Sequence, residues 1–384
     1  MQLAILLSAL LCAQNAGAPS QKDIDEAVKK GLEYLKTAPS PGGHLKTNCD
    51  ELIFLTLLHG GMSDKNPVFQ KYLKATVESP LEHTYKVALK AMCLEEYDPA
   101  KYQVEIAQCA QFLVDNQCQN GQWSYGRPTD VSKFKADTSV ASGGEKKKDE
   151  PPKKVINFGA ERVKSVPKTW LIVTPGKTVG GAAGDNSNSQ YAALGLRACH
   201  DAKVKIPEST LHQARKWWVE SQFPPADGAD AKAVVSGEGV RAQGWNYKKP
   251  GEGEGGQDRP PYHAMTAGAV GATVIYEYIL GRDFKKDKVT KAGVEWLGKH
   301  FSVNTNYYYM YALERAGMLY DVESFGGNNW YWKGVPVLLK GQNGDGSWGS
   351  RENKEENTWD TCFAILFLKK ATRGVATHGA GSKK

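Results

Sequence analysis

The sequence predicts an all-α protein, more narrowly an α/α toroid in which six helical hairpins form an inner and an outer ring. Two observations predict it. Twelve segments with a helical period of apolar residues follow one another in two strictly alternating types. One type is charged on one face, whereas the other is apolar nearly all round, as in residues 192–196. Because a uniformly apolar helix is buried, the second type should form the inner ring.

The helices of the first type share a charged face, as at Lys29, Lys30 and Glu33. They are expected at 27–35, 68–73, 106–116, 211–221, 290–299 and 333–340. Helices of the second type are expected at 49–59, 83–96, 188–201, 262–280, 306–320 and 358–371. The toroid should therefore occupy residues 19–372 as one domain, followed by a flexible tail at 373–384.

Two long insertions interrupt the repeats, at 127–185 and 223–261. Both connect an outer helix to the next inner helix, which places them on the rim where the inner helices begin. Long connections usually carry function or lack order, and helix N-termini present N–H groups there. We therefore expect the functional site at this rim.

The first insertion contains a lysine-rich stretch at 142–154, whose composition predicts disorder. Two short segments after it, 155–158 and 169–173, have the composition of strands and suggest a small β-hairpin over the rim.

An apolar run at residues 3–13 is too short to span a membrane and is followed by a small-x-small pattern at 16–18. We expect residues 1–18 to be a signal peptide, the mature protein to be exported to a periplasm or outside the cell, and no later segment to span a membrane. The net charge is +7, with 12 Lys and Arg against 7 Asp and Glu between 127 and 185. No nucleic-acid motif accompanies this excess, so nucleic acid is not an expected partner.

Six cysteines remain after the signal peptide, at positions 49, 93, 109, 118, 199 and 362. Export permits disulfides, whereas a cysteine inside an apolar helix usually behaves as a small hydrophobic residue. Closure of a ring would bring Cys49 and Cys362 to the same rim, either as a disulfide or as two buried thiols. No C-x-x-C pair exists, which excludes a zinc ribbon.

Two turns share the pattern Q-x-x-x-G-x-W. The first has Gln117, Gly121 and Trp123, the second Gln342, Gly346 and Trp348, and a third is split by the second insertion into Gln222 and Trp245. Glycine permits a left-handed turn after a helix. The tryptophan can cover the helix end and the glutamine amide can bond to the carbonyls there, so these residues should have a structural role.

This pattern resembles the repeat of the squalene/terpene cyclase and protein prenyltransferase superfamily, over nearly the whole mature chain. The resemblance implies an α/α toroid of the size of one cyclase domain or of a prenyltransferase β-subunit. The Asp-x-Asp-Asp acid motif of the cyclases is absent, and the nearest string, at 23–26, is expected before the first helix. The Asp-rich diphosphate signature of terpene synthases and the thioester sequence of complement-type toroids are also absent.

The resemblance also raises the question of zinc. Asp360 and Cys362 have the spacing of two prenyltransferase zinc ligands, but they lie in the last repeat, where that family would place its histidine. No later inner helix can supply a third ligand, and so we predict neither a metal nor another cofactor.

The predicted starts of the inner helices supply a polar and aromatic collar. The leading catalytic candidates are Asp360, Asp50 and His263. The ligand-binding candidates are His83, Tyr85, Asn188, Gln190, Tyr262, Tyr308 and Trp359. Aromatic walls can stabilise a carbocation or stack on a sugar, and carboxylates can serve glycoside chemistry. The alternative is that residues such as Asp50, Asn188 and Asp360 cap helices.

Two functions remain open. The first is an exported toroid that binds a hydrophobic small molecule, a glycan or a protein at its central cavity and rim, without the chemistry of the cyclases. The second is a terpenoid cyclase-like or carbohydrate-active enzyme that uses the carboxylates of the cavity. The absent acid motif favours the first, whereas the polar collar supports the second.

Overall fold

The computed structural model describes residues 19–38, 49–130, 155–157, 160–162, 165–174, 180–225, 240–252, 259–350, 352 and 354–375. The expected signal peptide at 1–18 and the lysine-rich stretch at 142–154 lie outside these residues. The described part is mostly helical, with twelve α-helices and three short pairs of strands. None of these helices is long and apolar enough to cross a membrane.

All twelve predicted helices are confirmed. In chain order they are α1 Gln21–Thr37, α2 Cys49–His59, α3 Pro67–Glu78, α4 Thr84–Tyr97, α5 Gln103–Asp115, α6 Asn186–Asp201, α7 Glu208–Glu220, α8 His263–Ile279, α9 Lys288–Lys299, α10 Tyr307–Tyr320, α11 Trp330–Gly341 and α12 Lys354–Leu368. The strands are β1 Val155–Asn157, β2 Ala160–Arg162, β3 Leu171–Ile172, β4 Val204–Lys205, β5 Ser324–Phe325 and β6 Asn328–Asn329.

Several helices begin earlier than predicted, because their first turns are polar and carry no apolar period. The acidic string at 23–26 therefore lies inside α1, not before it, and the Asp23 carboxylate accepts a hydrogen bond from the backbone N–H of Ser20 at 2.8 Å. Likewise, α12 begins at Lys354, so Asp360 lies in its second turn and does not cap it.

The odd-numbered and even-numbered helices differ in burial. In α8, residues 264–277 are buried without a break. In α1 the buried residues are Ile24, Ala27, Val28, Gly31 and Leu35, a single stripe at helical spacing. The even-numbered helices thus supply most of the core.

Contacts between the even-numbered helices form a closed series. Each of α2, α4, α6, α8 and α10 contacts the next even-numbered helix, and α12 contacts α2. The first helix, α1, contacts both α11 and α12, at the other end of the chain. The two ends of the described helical sequence are therefore packed together.

The tryptophans of the three Gln–Trp turns make matching hydrogen bonds. Each indole N–H donates to a carbonyl in the last turns of the preceding odd-numbered helix: Trp123 to Leu113 at 2.7 Å, Trp348 to Leu338 at 2.7 Å and Trp245 to Trp218 at 2.9 Å. All three indoles are fully buried. Because a helix end leaves its last carbonyls without intrahelical partners, each indole caps the end that it covers.

The glutamines of these turns bond to a different element from the one predicted. Their amides reach the next odd-numbered helix, not the end of their own: Gln117 donates to Thr210 O and Gln222 to Val289 O, both at 3.0 Å, and Gln342 to Ala27 O at 2.8 Å. Gln342 therefore joins the last of the three Gln–Trp turns to α1, the first helix of the chain.

The small β-hairpin exists, but with a different partner strand. β1 pairs with β2 in antiparallel fashion, whereas the other predicted strand, β3, pairs in parallel with β4. Leu171 and Val173 of this segment are buried, and their N–H groups donate to Lys203 O and Lys205 O. Burial of these apolar side chains beside the end of α6 accompanies the pairing of β3 with β4.

The segment after α12 is ordered beyond the predicted start of the tail. The Glu314 carboxylate accepts hydrogen bonds from Thr372 N at 2.9 Å and Thr372 Oγ1 at 2.7 Å. Arg373 pairs with Glu95 at 2.5 Å and with Glu96 at 3.4 Å. Packing therefore continues at least to Val375, which is buried.

Candidate functional site

A chain of hydrogen bonds connects the starts of three even-numbered helices. Tyr85, Ser187 and Tyr308 are each the second residue of their helix. The Tyr85 hydroxyl bonds to Ser187 Oγ, which lies 2.9 Å from the Tyr308 hydroxyl. Gln190 Nε2 donates to the same Tyr308 hydroxyl at 2.6 Å. α4, α6 and α10 thus bring three predicted ligand-binding residues, Tyr85, Gln190 and Tyr308, into one group.

Arg315 fixes the orientation of the Gln190 amide. Its Nη2 donates to Gln190 Oε1 at 3.0 Å. Because a guanidinium can only donate, the carbonyl side of the amide must face Arg315 and its NH₂ must face Tyr308. The Tyr308 hydroxyl can then donate to Ser187, and Ser187 to Tyr85. This directed series leaves the Tyr85 proton available to an acceptor.

Two aromatic rings lie close to the guanidinium of Arg315, a residue that is 2% exposed. The guanidinium carbon lies 4.3 Å from the centre of the Tyr311 ring and 5.3 Å from that of Tyr191. Cation–π attraction offsets part of the cost of burying the charge. The neighbouring Glu314 bonds instead to Thr372, and burial raises the pKa of Glu314 to about 7.

Asp185 lies at the outer edge of this group. Its carboxylate caps α6 by accepting hydrogen bonds from Asn188 N and Asn188 Nδ2, both at 2.8 Å. Asn188, the residue expected to cap α6, therefore does not cap it. It is the third residue of the helix and donates hydrogen bonds to the capping residue, Asp185. Burial raises the pKa of Tyr247 and Tyr262, and the negative charge of Asp185 raises both further.

Three tyrosine rings near this edge are accessible to solvent. The exposed fractions are 65% for Tyr125, 38% for Tyr247 and 39% for Tyr262. The second insertion is held to α6 here, because Asn186 Nδ2 donates to Asn246 O at 2.7 Å. The site therefore combines exposed aromatic faces with a hydrogen-bonding floor.

The three predicted catalytic residues do not form one group. No hydrogen bond or ion pair joins Asp360, Asp50 and His263 within the described residues. His263 Nε2 lies 2.6 Å from His300 O, with its ring between those of Trp296 and Tyr309. Asp50 is half-buried in the first turn of α2.

Asp360 has the environment of an acid–base group. Burial raises its pKa to about 7, and the nearby carboxylate of Glu356 contributes to the rise. Asp360 in turn raises the pKa of Tyr307, after the larger effect of burial. A carboxyl that titrates near neutrality can donate or accept a proton under physiological conditions.

Two other predicted ligand-binding residues end in buried polar atoms. His83 Nδ1 and Trp359 Nε1 have no hydrogen-bond partner within the described part of the chain. His83 precedes α4 and does not cap it with its side chain.

Cys362 is a free and fully buried thiol, whose pKa burial raises to about 12. The disulfide considered for it is not formed, and the side chain of Cys49 lies outside the described part of the structure. Among the described residues, no three His, Cys, Asp or Glu side chains lie close enough together to hold a metal ion.

No family model and no curated protein matches this chain.

Four residues of the site, Asp185, Ser187, Tyr247 and Arg315, are not predicted from the sequence. The first two precede the predicted start of α6, because that start was set by the apolar period. Arg315 carried a signal, since it lies four residues after Tyr311 and seven after Tyr308, on one face of a helix. Tyr247 lies in an insertion with no repeat to place it.

Proposed function

We propose that the chain is an exported α/α toroid of the cyclase and prenyltransferase repeat type, which binds a hydroxyl-rich ligand such as a glycan. Two observations support the toroid. The contacts among the even-numbered helices return from α12 to α2. The amide of Gln342 also joins the last turn to α1, as Gln117 and Gln222 join their turns to the next odd-numbered helix. Export rests on the sequence of residues 1–18.

The hydrogen-bonded series from Arg315 to Tyr85 carries the proposal of a hydroxyl-rich ligand. A purely apolar ligand over the end of this series would leave the Tyr85 proton without an acceptor, at a cost in free energy. Sugar hydroxyls both donate and accept, and so they can extend the series that ends at Tyr85. The exposed rings of Tyr125, Tyr247 and Tyr262 offer faces against which a sugar ring can pack.

Calorimetric titration of the purified chain with a panel of soluble polysaccharides tests this function. We expect at least one to bind, and Tyr247→Ala together with Tyr125→Ala to abolish the heat of binding. Trp332→Ala is the matched control, since Trp332 is 50% exposed on α11, outside the described site. Binding of squalene or farnesol by the chain, with no polysaccharide bound, would contradict the proposal.

Asp360 favours a second candidate function, that of a carbohydrate-active enzyme. A half-buried carboxyl with a pKa of about 7 fits a general acid. Its partner carboxylate would come from the same end of the helices, where Glu356 and Asp185 lie. If this holds, Asp360→Asn should abolish cleavage of a bound polysaccharide without loss of affinity. Cleavage retained by Asp360→Asn would exclude Asp360 as the acid, and no cleavage by the wild type would leave binding as the function.

A further inference from the structure

A cavity of about 460 Å³ lies apart from the site described above. It is enclosed by β3, by the residues that follow β4, by the first turn of α7 and by the end of α8. Its volume is within the range of sites for small molecules. Because α6 and α8 end here, the cavity is at the opposite end of these helices from Ser187 and Tyr262.

The interior of this lateral cavity is mostly apolar. Its aliphatic lining consists of Ile172, Ile206, Leu211, Ile279 and Leu280. One wall is the indole of Trp170, which is 39% exposed and lies 5.6 Å from the ring of His200. An exposed tryptophan beside five aliphatic side chains favours a ligand with an apolar body.

The charged residues at the edge of the cavity are mainly cationic. Lys205 and Arg282 line it together with a single acid, Glu208. Lys205 makes no ion pair with any described residue. Arg282 lies 3.9 Å from Glu277, and that carboxylate already accepts a shorter bond from Arg215 at 2.6 Å. Both cations can therefore attract an anionic group at the cavity mouth.

Another cavity has a similar volume, about 430 Å³, but does not combine an aromatic wall with unpaired cations. It lies beside α1 and has no aromatic lining residue. Its Lys36 is already paired with Glu33 at 2.6 Å. The cavity beside α1 provides an internal control, with Lys29 as the residue that corresponds to Lys205.

We propose that the lateral cavity binds an amphipathic carboxylate, with its apolar body against Trp170 and the aliphatic wall and its head group between Lys205 and Arg282. This site is independent of the glycan site.

The test is calorimetric titration of the full chain with decanoate and with its neutral amide, decanamide. We expect decanoate to bind more tightly than decanamide. Lys205→Glu should lower the affinity for decanoate by about tenfold and leave the affinity for decanamide unchanged, because it removes a positive charge that attracts the carboxylate. Glu208→Gln should strengthen decanoate binding, whereas the control Lys29→Glu should change neither ligand.

A pocket-filling variant, Leu280→Trp, separates the cavity from a surface charge effect. Leu280 is half-buried, and an indole there should occlude the cavity and abolish binding of both ligands. A melting temperature close to that of the wild type shows that the variant is folded. Equal affinity for the two ligands, or equal effects of Lys205→Glu and Lys29→Glu, would overturn the proposal. Self-association that Lys205→Glu abolishes would assign the cavity to a second copy and would overturn it too.

Discussion

The indole N–H of Trp348 donates a hydrogen bond to the carbonyl oxygen of Leu338, 2.7 Å away in the last turn of α11. The same indole is fully buried. It therefore combines a large apolar contact with the capping of a helix end. Trp123 has the same relation to Leu113 at the end of α5.

We expect Trp348→Ala to lower the free energy of unfolding by about 3–5 kcal/mol, as for other buried aromatic side chains. Trp348→Phe should cost less, about 1–3 kcal/mol, because it mainly leaves the Leu338 carbonyl without a partner. Urea unfolding followed by circular dichroism measures both.

Trp332→Ala is the control for these variants, because Trp332 is 50% exposed on α11, the helix whose end Trp348 covers. It should change the free energy of unfolding by no more than about 0.5 kcal/mol. If Trp332→Ala and Trp348→Ala were equally destabilising, the capping turn would have no special role.

Much of the helical arrangement could be predicted because burial leaves a clear record in the sequence. The stretch at 264–277 is rich in alanine, valine and other small or apolar residues, which predicts a buried helix, and all of it is buried. Helix starts were harder, since Asp185 and Ser20 act through polar caps that no apolar period marks. The pairing of β3 with β4 could not be predicted, because two residues per strand carry too little pattern.

The candidate site could be predicted only in part. Tyr85, Gln190 and Tyr308 lie near predicted helix starts, which indicates them from the sequence, and hydrogen bonds connect them in the structure. Arg315 was not selected, because its role depends on reaching across from α10 to Gln190 on α6. His263 was selected for its position, but its ring turns towards His300, a contact between side chain and backbone that no local pattern predicts.

Gly346 lies where a side chain would meet two obstacles. Its φ is +89°, and a Cβ atom there would lie 2.5 Å from Lys30 O of α1. Gly346→Ala should therefore lower the free energy of unfolding by more than the roughly 1–2 kcal/mol that the left-handed backbone conformation alone costs a residue with a Cβ atom. Gly251→Ala isolates that backbone cost, because Gly251 has φ +85° and open space around it. Similar unfolding midpoints for the two variants would refute the close packing of this turn on α1.

The carboxyl of Asp360 should make stability depend on pH. Its folded pKa is about 7, whereas an unfolded aspartate has a pKa of about 4. Between these pH values the folded state binds more protons than the unfolded state. The stabilising contribution of the protonated Asp360 carboxyl is therefore lost as the pH rises towards 7.

Asp360→Asn cannot titrate and should become more stable than the wild type as the pH is raised. We expect the difference to grow by about 1–3 kcal/mol between pH 5 and pH 8, at about 1.4 kcal/mol for each unit of pKa shift. Urea titrations at both pH values measure it. The exposed Asp64→Asn serves as control, and an equal pH response in the two variants would contradict the assigned environment of Asp360.

Arg373 tests whether the segment after α12 belongs to the folded domain. It pairs with two buried carboxylates at the end of α4, Glu95 at 2.5 Å and Glu96 at 3.4 Å. Arg373→Ala would leave both acids buried without this cation, and we expect it to lower the free energy of unfolding by about 2–3 kcal/mol. This value is near the lower end for a broken buried pair because Arg373 is partly exposed.

The control for Arg373→Ala is Arg282→Ala, whose guanidinium is half-exposed and 3.9 Å from Glu277. Since exposed ion pairs contribute little, that variant should cost less than about 1 kcal/mol. The two ion pairs should also differ in their response to salt: high salt screens the exposed pair of Arg282, whereas the pairing of Arg373 with Glu95 and Glu96 is partly shielded and should weaken less. Equal unfolding free energies for the two variants, at low and at high salt, would mean that the domain ends before Arg373 after all.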